Sequence, residues 1–128
     1  MKYFLFKRLS IFVFIIFLLN TAATLFGWYV MLPWYDDMMH FLGGAWLGML
    51  GTWFYFHKIQ RGSVKMKTIL TFVFVGTILW EVLEYAVQHI TNSPGALATM
   101  PDSISDVVFG MVGGYAAAYI YIAYIKKQ

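Results

Sequence analysis

Four apolar stretches, each long enough to cross a bilayer, leave this chain few ways to fold. They run over residues 9–32, about 38–57, 68–90 and about 104–125. A helical crossing needs roughly 20 apolar residues, because a hydrocarbon core of about 30 Å is covered at about 1.5 Å per residue. All three prolines fall in the connectors PWYDD, KIQRGSVKMK and TNSPGALATMPDS. With 61% of its 128 residues hydrophobic and 12% charged, the chain has too little polar surface for a soluble domain of this length. The expected fold is all-α: a four-transmembrane-helix bundle, one integral membrane domain over residues 1–128. Its first partner is the lipid bilayer.

Lys2, Lys7 and Arg8 precede the first stretch as they would in a signal peptide. The apolar run is too long for a signal core and Ala22-Ala23 makes a poor cleavage site, so the stretch reads as a retained helix ending at Pro33. All nine basic residues cluster in three places: Lys2, Lys7 and Arg8; Lys58, Arg61, Lys65 and Lys67; Lys126 and Lys127. Four crossings put those places on one side, which the positive-inside bias makes cytoplasmic, together with both termini. That placement accounts for the net charge of +3 without nucleic acid as a partner. The absence of cysteine excludes disulfides and thiolate ligands. The many tryptophans and tyrosines read as interfacial belts and lipid contacts.

The six acids, Asp36, Asp37, Glu81, Glu84, Asp102 and Asp106, lie at or toward the opposite side. Glu81 lies about nine residues, roughly 13 Å of helix rise, below the outer end of its stretch. An ionised acid at that depth is costly, and such residues face a bundle interior and mark a function. At about 100° per residue, Asp36, Asp37, His40, Gly44 and Gly48 share one side of the second helix. Asp102, Asp106, Gly110 and Gly113 share a side of the fourth, and Glu81, Glu84, Tyr85 and Gln88 form the polar face of the third. Gly76 points away from Glu81.

Small residues at four-residue spacing let membrane helices approach closely, so Gly44, Gly48, Gly110 and Gly113 are the expected contact between the second and fourth helices. That contact would bring the acidic ends together in an outward-facing pocket. Crowded carboxylates must share protons, satisfy one another through hydrogen bonds, or take up a cation. The metal version uses His40, Glu81, Glu84, Asp102, Asp106 and Asp37 as ligands of a divalent ion, with Asp36, Tyr85 and Gln88 lining the pocket. His57 reads as interfacial, and His89 points about 80° away from Glu81.

The ordered motifs YDDMMHFLGG, WEVLEY and DSISDVVFGMVGG resemble those of the VanZ-like and YjdF-like group of small integral membrane proteins, over about residues 34–117. The resemblance matches Asp36 or Asp37 with His40 to the first motif, Glu81 and Glu84 to the second, and Asp102, Asp106 and Gly113 to the third. Glu84 stands where the VanZ-like pattern often has Gln, Gly110 where it has Asn, and a preceding Arg is missing, which brings the chain closer to the YjdF-like branch. The resemblance implies a bacterial inner (cell) membrane and a role in the cell envelope, and no particular reaction. Three classes of function stay open. One is a metal-dependent activity on an envelope lipid or lipid-linked substrate, although no hydrolase or transferase signature is present. Another is a proton- or cation-coupled carrier, which at four helices would work as a homo-oligomer. The last is a non-catalytic assembly protein.

Overall fold

The computed structural model describes residues 2–59, 65–91 and 100–126, which are all-helical with no strand among them. Helix α1 (Lys2–Phe26) is followed by the short α2 (Trp28–Met31), α3 (Tyr35–Phe54), a π-helical turn (Tyr55–Ile59), α4 (Met66–Thr91) and α5 (Met100–Lys126). Three segments are long and apolar enough to cross a bilayer: Phe6–Phe26, Met66–Val87 and Asp102–Tyr124.

The first apolar stretch is not one helix to residue 32, as its composition suggests. Gly27 takes a left-handed backbone with φ of 69°, the conformation in which a glycine terminates a helix without a Cβ penalty. Helix α2 then turns the chain, and Leu32 is extended before Pro33. The remaining expected boundaries differ from the observed ones by a few residues.

Helix α3 is the hub, packing on α1, on α4 and most extensively on α5. Its hydropathy is diluted by Asp36, Asp37, His40 and four glycines because it faces protein, where close approach matters more than greasiness. Its buried residues are Tyr35, Met39, His40, Gly44, Ala45, Gly48, Gly51 and Thr52. The lipid-facing positions instead belong to its neighbours: Phe14, Phe17 and Leu25 on α1, Leu79 and Val82 on α4, and Val112 and Ile120 on α5 are all exposed. Apolar surface of that extent is stable against lipid and not against water.

Residue pairings give the helix directions. Trp46 Nε1 donates to the Leu9 carbonyl at 3.0 Å and the Tyr35 hydroxyl donates to the Leu19 carbonyl at 3.1 Å, so α1 runs antiparallel to α3. Gly44 lies on Gly110 and Gly48 on Gly114, so α3 and α5 run parallel. Gly51 faces Ile69 and Phe72 whereas His40 faces Glu81, so α4 runs antiparallel to both. Two buried clusters hold the bundle: Ala23, Tyr35 and Met39 near the acidic end, and Ile69, Val73 and Ala118 toward the basic end.

The glycine contact is more extended than expected. A Cβ on Gly44 would collide with the Gly110 carbonyl and lie 2.6 Å from its Cα; one on Gly48 would collide with the Gly114 carbonyl. One on Gly113 would collide with the Phe41 carbonyl, while the open side of Gly110 faces Thr77 Cγ2 of α4 at 2.5 Å. Gly114, absent from the expected set, completes a Gly-x3-Gly on α5 that matches Gly44-x3-Gly48 on α3. Gly76 is not open either, since Leu47 lies 2.7 Å from where its Cβ would be; Gly43 is the α3 glycine with nothing within 4 Å.

Candidate functional site

The parallel Gly44–Gly110 contact determines what lies one helical turn above it. His40 precedes Gly44 by four residues and Asp106 precedes Gly110 by four, so both occupy the next turn on the same faces. On antiparallel α4 the matching step runs the other way, from Thr77 to Glu81. Gly44, Gly110 and Thr77 form the floor, and His40, Asp106 and Glu81 stand on it. Backbone approach at the floor brings three helices' polar side chains within reach of one another.

His40 is at the centre and is only 9% exposed. Its Nδ1 faces Glu81 Oε1 at 3.5 Å, and its Nε2 faces Asp36 Oδ1 at 3.6 Å and Asp106 Oδ1 at 3.7 Å. Asp106 is 6% exposed, while the Asp36 side chain is 44% exposed and opens the cluster toward its rim. These separations exceed the roughly 2.7–3.2 Å of an N–H···O hydrogen bond. Two groups of three offer ligand atoms within 4.8 Å of one another: Asp36, His40 and Asp106, and His40, Glu81 and Glu84. Both groups share the one imidazole.

The other expected site residues fall outside these groups. Asp36 and Asp37 exchange the places expected for them: Asp36 faces the histidine, whereas Asp37 Oδ1 accepts a hydrogen bond from Ser105 Oγ at 3.1 Å. Helical arithmetic puts both aspartates on one side and cannot separate them; the register of α5 does. Asp102 is exposed, one turn outward of Asp106. Tyr85 is 61% exposed, and its ring stacks on His89 with centroids 6.2 Å apart, placing both on the outer surface of α4. The Gln88 side chain lies outside the described residues. His57 turns back on its own helix, with Nδ1 2.8 Å from the Trp53 carbonyl and its ring stacked on Trp53. Sequence reasoning missed Thr77 as floor and Ser105 as a clip between α5 and α3. The spacing Gly110-x3-Gly114 was the available signal for the register that places both.

The imidazole can serve one centre at a time. In a neutral ring one nitrogen donates and the other accepts. If one nitrogen takes a cation, the N–H on the other points at the carboxylates behind it, the usual way a ligating histidine is oriented. The donor set of one imidazole nitrogen and carboxylate oxygens suits zinc, manganese or iron(II) among divalent ions.

The family model described as "Predicted membrane protein (DUF2238)" matches residues 1–127. The chain belongs to that family. DUF2238 membership and the exposed apolar helices agree that this is a small membrane protein embedded in a lipid bilayer. No curated protein and no solved structure matches the chain significantly. DUF2238 carries a location in its description and no reaction.

Proposed function

We propose that this DUF2238 protein holds a divalent cation at the outer mouth of a four-helix membrane bundle, bound by His40 Nε2, Asp36 and Asp106. The observation that carries this reading is His40: a nine-tenths buried imidazole with carboxylates of three helices facing both nitrogens, at separations too long for hydrogen bonds. Ligands on opposite sides of an ion at about 2.1 Å stand about 4.2 Å apart, so atoms already within 4.8 Å need only small side-chain adjustments. Glu81 then accepts from Nδ1–H and orients the ring, with Glu84 behind it. Nε2 is favoured over Nδ1 because the exposed Asp36 gives that side its access to solvent.

The alternation of helix directions and the clustering of basic residues support four crossings with both termini on the cytoplasmic side. In that topology the cation faces the cell exterior, where it can polarise a phosphoryl oxygen of an envelope lipid or lipid-linked substrate. The narrower likeness to the VanZ-like and YjdF-like group places the same three motifs in small proteins of the bacterial envelope and agrees with this reading.

The test is metal content of the full chain purified in detergent, stripped with chelator and titrated with Zn²⁺ and Mn²⁺. Wild type should bind one ion, and His40→Ala and Asp106→Asn should bind none. Glu81→Gln should bind about 10–100-fold more weakly, as a lost orienting partner does. Equal binding by wild type and His40→Ala, or none by wild type at neutral pH, refutes the site. For topology, cysteines introduced at Ser63 and Ser93 should react with an impermeant reagent only at Ser93; labelling at Ser63 from outside refutes the orientation.

A further inference from the structure

At the opposite end of the bundle from His40 lies a cavity of about 470 Å³ between α1, α3 and α5. That volume is within the roughly 300–1,000 Å³ of small-molecule sites. Phe12, Met49, Ala117 and Ile120 make its walls apolar, and the groove follows α5 from Gly113 to Tyr124. Those residues span about 16 Å of helix rise, close to one leaflet of a hydrocarbon core about 30 Å thick.

Two polar groups break the apolar lining. Arg8 lines the groove from α1, at the end of the bundle where the basic residues gather. Tyr121 lines it from α5; it is only 7% exposed, and its buried hydroxyl makes no hydrogen bond to any described residue. A buried hydroxyl left without a partner is costly, so native structures rarely leave one so. An apolar slot one leaflet deep, with a guanidinium and an unmatched donor at its polar end, has the chemistry of a lipid site.

We propose that this groove holds an acyl chain of an anionic phospholipid drawn from the leaflet on the Arg8 side. The phosphate pairs with the Arg8 guanidinium, and the Tyr121 hydroxyl donates to an ester or phosphate oxygen of the same lipid. The charge of Arg8 is what selects an anionic headgroup over a zwitterionic one. This site is separate from the His40 cluster and stands whether or not that cluster binds a metal.

Native mass spectrometry of the full chain, released from vesicles of equimolar phosphatidylglycerol and phosphatidylcholine, tests the proposal. Wild type should retain one phospholipid, phosphatidylglycerol about tenfold in preference, the scale of one charge-assisted contact. Arg8→Gln should lose that preference, and Tyr121→Phe should lower retention severalfold while keeping it. Ala117→Trp should fill the groove and release both lipids; Ile120→Trp, at an exposed position, serves the same purpose if the first variant loses helicity. Excess inorganic phosphate should not displace the lipid. The proposal is overturned by equal retention of both lipids in wild type, by Arg8→Gln behaving as wild type, or by displacement with phosphate alone. A lipid-free dimer cross-linked through a cysteine at Ile120 would also overturn it, giving the groove to a second copy.

Discussion

Adding a single methyl group at Gly44 should damage the protein, whereas the same methyl one residue earlier should help it. At Gly44 the new Cβ would lie 2.6 Å from Gly110 Cα and closer still to its carbonyl. Carbon atoms in contact prefer about 3.5 Å or more, so α5 must retreat by roughly 0.9 Å. Neither partner can yield by turning a side chain, since both are backbone. Overpacking of this kind costs about 1–3 kcal/mol. At Gly43 a Cβ meets nothing within 4 Å, and exchanging a helical glycine for alanine contributes about 0.5–1 kcal/mol of stability. Gly44→Ala and Gly43→Ala should therefore shift the unfolding midpoint in opposite directions, read by circular dichroism during thermal or dodecyl sulfate titration in micelles. The retreat should also reach the site, because Asp106 rides one turn above Gly110 and His40 one turn above Gly44. Their 3.7 Å separation would open, and ion affinity should fall at least about tenfold, the lower end of what a disturbed supporting shell costs. Equal midpoints for the two variants would refute the close contact. A destabilised Gly44→Ala with unchanged ion affinity would refute its coupling to the site.

Lowering the pH should weaken ion binding, because a proton competes with the ion at each carboxylate and at the imidazole; calorimetric titration at several pH values should show affinity rising with pH and release of protons on binding. Ile69→Ala should cost about 2–5 kcal/mol in the same unfolding assay, since Ile69 is 1% exposed in the cluster with Val73 and Ala118. Trp46→Phe should cost about 0.5–1.5 kcal/mol by removing the indole's hydrogen bond to the Leu9 carbonyl, and proteolysis should then release α1 before the other helices.

The apolar stretches and the segregation of nine basic residues from six acids were enough to determine an all-helical membrane protein with its acids gathered at one end. Those are properties of solvent transfer, which each residue contributes largely on its own, so they can be read without knowing any neighbour. Helical periodicity also placed His40, Glu81 and Asp106 on faces suited to meet, because 3.6 residues per turn is local geometry. What periodicity could not decide is which of two adjacent aspartates faces the histidine. Asp36 does and Asp37 pairs with Ser105, a choice made by the register between α3 and α5. That register depends on Gly44 against Gly110 and Gly48 against Gly114, contacts between helices 66 residues apart in the chain. The break at Gly27 is tertiary in the same sense: the turn it starts brings Tyr35 back to the Leu19 carbonyl and stands α3 against α1. Hydropathy ranks α3 as the least obvious crossing because burial against three helices rewards small and polar residues over greasy ones, and only the packed bundle reveals which helix is central.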